Sequence, residues 1–226
     1  MATSAQELWQ SRLTVPNYGI SEAARYADIS AGTVGRWQTS MELPDRQPRK
    51  RISYYELIEI AVVSVCRQVG MKLVDIKAAH QYFSSQFKTP YPFATLDLKT
   101  DGVDLLKDYS PESEGAARMI AGNRNGQLAW RDVIAQRFRE FEYERGVVTS
   151  WAVAGEKSSV IIDPRVRFGA PAVEGLPTWL IKERWEAGEP PEDTASEFNL
   201  KVRSVKDALK FEGIDPKASP PNKWLN

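Results

Sequence analysis

The sequence predicts an α+β chain, mostly helical, with a helical hairpin near each end and a small antiparallel sheet between them. Three observations carry that prediction. Apolar residues recur at helical spacing on both sides of the middle third. Between them, residues 89–154 hold short alternating runs broken by turn residues, the pattern of short strands. The composition, 42% hydrophobic and 27% charged, is that of a globular domain, and 226 residues suffice to bury a core without disulfides or metals.

Residues 1–15 contain Glu7, Trp9, Gln10 and Arg12 and no apolar run, so they do not read as a signal peptide. The longest apolar stretch, 60–65, is interrupted by Ser64 and is too short to span a bilayer. No membrane association is expected, and a cytoplasmic location is. One cysteine, Cys66, excludes an internal disulfide, and one histidine, His80, excludes a histidine-rich metal site. A serine or cysteine hydrolase would have to use His80, and no nucleophile motif points at it. The expectation is no catalysis, no metal and no cofactor.

The first hairpin lies at 20–37. Ser21 reads as an N-cap with Glu22 in the first turn. Ala23, Ala24 and Ala27 give a small-residue face, and Asp28-Ile29-Ser30 interrupts the helix. Ser30 then caps a second helix from about Ala31 to Gln38, with Val34 and Trp37 inward and Thr33 and Arg36 outward. Ile29 is expected to plug the core. Ser30, Thr33 and Arg36 are the candidate groove-reading residues. Arg46, Arg49, Lys50 and Arg51 follow as a basic loop suited to phosphates. The formal net charge is zero, with 30 basic and 30 acidic side chains, but residues 1–90 carry 11 basic against 8 acidic. Zero is thus an average over unlike parts.

Ser53 next caps a helix with Leu57, Ile58, Ala61, Val62 and Val65 at helical spacing. Gly70 ends it. A further helix near Leu73 to Phe87 shows Ile76, Ala79 and Phe83. Cys66 lies on an apolar helix and reads as core.

Three runs carry a specific likeness: Thr33-Val34-Gly35-Arg36-Trp37, Lys50-Arg51-Ile52-Ser53-Tyr54-Tyr55-Glu56-Leu57, and Gly70-Met71-Lys72-Leu73-Val74-Asp75-Ile76. Residues 17–88 thereby resemble a MerR-like winged helix-turn-helix. The resemblance implies DNA binding through the second helix and the basic wing. Gly35 stands where that family often has an arginine used on DNA, which moves the burden to Arg36 and the wing. The family's effector cysteines are missing.

In the middle segment, 89–154, Phe93 to Leu98 and Val103 to Leu106 read as strands around Thr100-Asp101-Gly102. Met119 to Ala121 and Gln127 to Ala129 flank a glycine-rich turn, and a short helix is expected near Trp130 to Gln136. Phe138 to Glu144 alternates, and Gly146 turns the chain into Val147 to Val153.

In the third segment, Val160-Ile161-Ile162 reads as a strand stopped by Pro164. Gly169-Ala170-Pro171 and Gly175-Leu176-Pro177 read as two rigid turns. Pro177 is expected at the first position of a helix whose buried side is Leu180, Ile181, Arg184 and Trp185. Pro190-Pro191-Glu192 starts another helix with Ala195 and Phe198 inward, and Val205, Ala208 and Leu209 mark a last one. The runs Asp163-Pro164, Gly169-Ala170-Pro171-Ala172-Val173-Glu174-Gly175, Ala187-Gly188-Glu189-Pro190-Pro191-Glu192-Asp193 and Val205-Lys206-Asp207-Ala208-Leu209-Lys210-Phe211 resemble the DUF433 family over 158–213. Leu176-Pro177 departs from that family's usual Thr-Arg.

These readings divide the chain into a MerR-like domain at 1–88, a β-rich segment at 89–154, a DUF433-like domain at 155–213 and a proline-rich tail at 214–226. A MerR-like head joined to DUF433 resembles VapB-type antitoxins. That resemblance implies an antitoxin that neutralises a PIN-like ribonuclease toxin and represses its own operator DNA. Trp179, Trp185, Lys217, Lys223, Trp224 and Leu225 are the candidate toxin contacts, the tail being proline-rich and expected to be extended. A homodimer is expected because palindromic operators need two-fold pairs. The alternative is a MerR-like regulator that answers to a small molecule. A second helix-turn-helix-like unit at 191–211, with Lys201, Arg203, Lys206 and Lys210, is a rival DNA face.

Overall fold

In the computed structural model the described residues are 9–40, 51–68, 70–95 and 138–221. The chain divides into two compact units, Met1–Thr149 and Ser150–Asn226. Both mix helices with small antiparallel sheets, so the fold is α+β.

The first unit begins with a short 3-10 turn, Ser11–Thr14, that buries Leu13. Strand β1 (Tyr18–Gly19) pairs with β2 (Arg51–Ile52) in the register Tyr18↔Ile52 and Gly19↔Arg51. Two-residue strands are too short to show a period in the sequence. Helix α1 (Ile20–Tyr26) starts one residue before the expected cap. Gly19, not Ser21, holds the N-cap position, because the Glu22 carboxylate accepts the Gly19 N–H at 3.1 Å. Asp28 turns the chain with a left-handed backbone, φ 50°, which an aspartate tolerates. Helix α2 (Ala31–Ser40) follows. Val34 and Trp37 are buried as the spacing required, while Ile29 is only half-buried.

Helix α3 (Tyr54–Gln68) is the central element and is buried on nearly every side. Its start is a complete capping box: Ser53 N–H donates to Glu56 at 2.7 Å, and Glu56 N–H donates to Ser53 Oγ at 3.3 Å. Cys66 is buried on it, with its thiol pushed up to about 12 by burial. Helix α4 (Leu73–Phe87) buries Ile76, Ala79, His80 and Phe83.

The strand expected from Phe93 is a helix instead, α5 (Pro92–Thr95). Its cause lies far away in sequence. The Oε1 of Glu59, inside α3, accepts the N–H of Phe93 at 2.8 Å and of Ala94 at 3.1 Å. The free amides of a helix start are thus satisfied by a buried side chain. The remaining expected elements of the middle segment between Thr95 and Phe138, including the rest of that strand, lie outside the described residues. Beyond them β3 (Phe141–Glu144) turns through Arg145 and Gly146, both at positive φ, into β4 (Val147–Trp151), the hairpin the alternation predicts.

In the second unit the run at 160–162 makes two single bridges, Trp151↔Ile162 and Ile161↔Ala172. The first expected turn leads into a hairpin, β5 (Ala172–Val173) with β6 (Leu176–Pro177); Leu176 and Pro177, expected in a second turn, are instead the strand paired with Val173 and Ala172. Glu174 and Gly175 form its two-residue loop at φ 50° and 86°. Such a loop follows the right-handed strand twist, which two proline turns alone do not reveal. Pro177 is the N-cap, with ψ 140°, and α6 runs Thr178–Glu186. Only Thr178 and Ile181 are buried on it; Leu180, Arg184 and Trp185 are half-buried. Helix α7 (Pro191–Glu197) begins on Pro191 and buries Ala195. Asn199, at φ 53°, turns the chain into α8 (Val202–Phe211), whose buried side is Ser204, Val205, Ala208 and Leu209.

Candidate functional site

The outer face of α2 is built by its cap. Ser30 Oγ accepts the Thr33 N–H at 3.2 Å and lies 2.8 Å from the Thr33 hydroxyl. Arg36 Nη2 donates to Thr33 Oγ1 at 3.2 Å. Residues three apart stack on one helix face, so Ser30, Thr33 and Arg36 form one hydrogen-bonded row, with Arg36 and Ser30 exposed and Thr33 half-buried. A Cβ added at Gly32 or Gly35 would meet nothing within 4 Å, so this face is open and low. The helix N-terminus adds a partial positive charge beside the same row.

Arg51, at the end of β2, donates from Nη1 to the Asn17 carbonyl at 2.9 Å. It is exposed but already tied to the strand pair. Arg46, Arg49 and Lys50 lie outside the described residues.

Beneath α2 lies a feature that spacing did not reveal. Glu59 is fully buried, and its Oε2 is 3.0 Å from His80 Nε2. Burial pushes the Glu59 carboxyl above its ordinary range, against the pull of His80 and the two α5 amides. The His80 ring stands edge-to-face with Trp37 of α2 at 5.3 Å and with Phe93 of α5 at 5.3 Å. Trp37 and Phe93 are stacked at 6.4 Å. The signal was present in the sequence: an acidic residue between Ile58 and Ile60, in a helix apolar all round, needs a buried partner.

The second unit exposes three large apolar side chains. Phe168 is 67% exposed, Trp179 51% and Val166 37%. Phe168 is the middle residue of a short 3-10 turn, Arg167–Gly169, in which the three residues have φ of 47°, 57° and 79°. Left-handed backbone costs a non-glycine residue about 1–2 kcal/mol. The loop is held there by Arg167 Nε donating to the Gly175 carbonyl at 3.2 Å. Trp179 is the second residue of α6, four positions past Gly175 of the β5–β6 turn. Trp185 is half-buried, its Nε1 enclosed without a hydrogen-bond acceptor.

Arg184 ties α6 to α7. It pairs with Glu189 at 3.0 Å and with Glu197, and lies over the Phe198 ring at 5.2 Å. On α8, Lys206 pairs with Glu192 at 2.9 Å and Arg203 donates to the Lys157 carbonyl at 3.1 Å. Two of the four cations of this second helical hairpin are thus engaged within the unit. The tail does not leave the surface at Gly213. Ile214 N–H donates to Leu209, Lys217 N–H to Asp215 Oδ1, and the Pro221 carbonyl lies 3.1 Å from where a Gly188 Cβ would stand. Lys217 is exposed. Lys223, Trp224 and Leu225 lie outside the described residues.

Among the described residues no three His, Cys, Asp or Glu side chains gather as a metal site, and no helix is long and apolar enough to cross a membrane.

No protein-family model matches the chain. Two curated relatives do. The chain is 22% identical over 232 residues to "Putative antitoxin VapB45" of Mycobacterium tuberculosis, covering 90% of this chain and 96% of that protein. It is 24% identical over 213 residues to the uncharacterized protein Rv2308 of the same organism, covering 86% and 89%. Among solved structures, the crystal structure of Rv2018 from Mycobacterium tuberculosis matches with a TM-score of 0.70. That match covers 88% of this chain and 99% of the other at 21% identity, and it speaks for the fold.

Proposed function

We propose that the chain is the antitoxin of a type II toxin–antitoxin pair. In this reading it binds and neutralises a PIN-like ribonuclease through its second unit and binds its own operator through its MerR-like first unit. The observation that carries the reading is the end-to-end likeness, 90% of this chain and 96% of the other, to a protein named as an antitoxin. The chain does no chemistry of its own; it occupies another protein's active site.

The first unit presents α2 to the major groove. The row Ser30, Thr33 and Arg36 is set in place before DNA arrives. Gly32 and Gly35 leave room for close backbone approach. Arg51 and the loop residues Arg46, Arg49 and Lys50 supply phosphate contacts, so affinity falls steeply with salt. The protein acts as a homodimer on two half-sites, as palindromic operators require. The face of α2 is favoured over that of α8 because the run Arg46, Arg49, Lys50 and Arg51 follows the first helical hairpin and has no counterpart beside the second.

The second unit presents Phe168 and Trp179 to the ribonuclease. Phe168, exposed on a strained and tethered segment, suits a partner surface, since the strain persists only where the surroundings hold it, and Trp179 adds an exposed aromatic ring from α6. Lys217 and the tail residues Lys223, Trp224 and Leu225 face the acidic active site expected of a PIN-like ribonuclease. The test is co-purification with, and inhibition of, the product of the gene next to this chain's, expected to be a small PIN-like ribonuclease. The full chain is expected to abolish its activity, and a chain lacking residues 222–226 to inhibit at least tenfold less well. No inhibition by the full chain would overturn the reading. Undiminished inhibition by the shortened chain would remove the tail from it.

A further inference from the structure

We infer that α8 is a second duplex-DNA contact, one that grips phosphates without reading sequence, in addition to the reading helix α2. Two observations carry it, a repeated geometry and a row of cations. The helix pair α7–α8 repeats α1–α2 residue for residue. Both first helices have 7 residues and both second helices 10. The left-handed turn residue is Asp28 in one and Asn199 in the other, at φ 50° and 53°. The hydrogen bonds around it correspond. Ile29 N–H donates to the Ala24 carbonyl at 3.0 Å, and Leu200 N–H to that of Ala195 at 2.8 Å. Asp28 N–H donates to Arg25 at 3.3 Å, and Asn199 N–H to Ser196 at 3.4 Å. Thr33 and Val34 N–H close the start of α2 on the Ser30 carbonyl at 2.9 and 3.1 Å. Ser204 and Val205 N–H close that of α8 on the Lys201 carbonyl at 2.9 and 3.2 Å. Buried residues match too: Ala24 with Ala195, Val34 with Val205, Trp37 with Ala208. Helix α8 is thus built as the second helix of a helix-turn-helix, the element such a pair lays in a groove.

A helical hairpin alone is no DNA contact, and the outward positions decide. Where the first pair has Ser30, Gly32, Gly35 and Thr39, the second has Lys201, Arg203, Lys206 and Lys210. Lys201, Arg203 and Lys210 are exposed, and Lys206 is half-buried. Arg203 donates to a backbone carbonyl, that of Lys157, which leaves its charge uncompensated. Among the described residues no carboxylate pairs with Lys201 or Lys210. Lys206 pairs with Glu192 at the surface, where such a pair contributes at most about 1 kcal/mol and yields to a phosphate. Asp207, at the place of Arg36, is half-buried and accepts the Ser159 N–H at 2.9 Å.

The same positions say what α8 does not do. Ser204, at the place of Thr33, is buried and donates to Glu174 at 2.8 Å. Helix α8 therefore offers cations to phosphates but no small polar side chain to base edges, and the base edges carry the sequence. Helix α2 selects the site, and α8 adds affinity on any duplex. Each phosphate neutralised adds about 0.9 to the slope of log affinity against log salt.

The experiment is fluorescence anisotropy of the full chain across a salt series. The labelled duplexes are one taken from immediately upstream of its own coding sequence and a scrambled one of equal length and composition. The triple variant Lys201→Gln, Arg203→Gln, Lys210→Gln should lower the salt slope by about two to three. Its affinity should fall by about tenfold or more on both duplexes alike. Glu192→Gln releases Lys206 and removes a negative charge; it should steepen the slope by about one, a gain that misfolding does not produce. Arg36→Ala should instead reduce the preference for the upstream duplex. An unchanged slope in the triple variant, with that preference still weakened by Arg36→Ala, overturns the inference and leaves the α2 reading standing. A loss confined to the upstream duplex also overturns it, since α8 would then be reading sequence. A lowered slope in the triple variant, with Arg36→Ala inert, supports the inference and removes α2 from DNA reading. If circular dichroism shows the triple variant unfolded, Glu192→Gln decides, and an unchanged slope there overturns the inference. Tighter binding of the wild type to the same sequence as duplex RNA overturns the choice of DNA.

Discussion

Replacing Glu59 by Ala should cost the first unit about 3–5 kcal/mol, the range for breaking a buried pair from one side. The magnitude follows from what is left behind. The Phe93 and Ala94 amides, now 2.8 and 3.1 Å from Oε1, become buried donors without an acceptor. Each orphaned donor costs about 1–3 kcal/mol. His80 loses the carboxylate 3.0 Å away, and a cavity opens in the middle of α3. A domain is stable by only about 5–15 kcal/mol, so the variant should be close to unfolding. Glu59→Gln is the control. Its side-chain carbonyl keeps both amides, and its cost should be about 1 kcal/mol. Urea unfolding by near-ultraviolet circular dichroism measures both, and hydrogen exchange at Phe93 and Ala94 localises the effect. If Glu59→Ala lies within about 0.5 kcal/mol of wild type, or if Glu59→Gln costs as much as Glu59→Ala, the account of α5 as a helix capped from α3 is wrong.

Three further outcomes are expected. Burial holds the Glu59 carboxyl proton to higher pH in the folded chain than in the unfolded one. Its contribution to stability is therefore full below the unfolded value and is lost as pH rises through the raised one; wild type should lose stability upward through that window relative to Glu59→Gln, and parallel profiles would contradict it. Gly188→Ala puts a side chain at φ 99° and 3.1 Å from the Pro221 carbonyl; it should destabilise the second unit by about 1–3 kcal/mol in thermal unfolding, and a neutral effect would mean the tail does not pack there. Gly35→Arg meets open space on α2; it should strengthen DNA binding and steepen the salt slope by about one, whereas an unchanged slope would place that face away from phosphate.

The caps and faces of α2 and α3 were legible because they obey local rules, whereas the cap of α1 and the buried side of α6 were not. Ser30 and Ser53 cap as read, and Val34, Trp37, Leu57 and Ile58 are buried at the expected spacing. What escaped was decided by residues distant in sequence. Phe93 has strand propensity, but Glu59 supplies a helix cap from 34 positions away. The β1–β2 pair joins residues about as far apart, each strand too short to carry a period. The exposure of Phe168 left no mark at all, since it depends on three successive left-handed residues held by Arg167. For the candidate site, the row on α2 was readable from spacing. The Glu59–His80 pair beneath it was signalled only by a charge in an apolar run.

In the proposed division of labour the first unit reads DNA and the second binds the ribonuclease, and a crossed pair of variants separates the two. Arg36→Ala and Trp179→Ala are each assayed for binding to the upstream duplex and for inhibition of the ribonuclease that the proposal pairs with this chain. Arg36→Ala should lose about tenfold or more in DNA affinity, the lower end of what one good side-chain contact is worth, with inhibition intact. Trp179→Ala should weaken inhibition and leave DNA affinity unchanged. Loss of both activities in either folded variant, or of neither in both, would contradict the account.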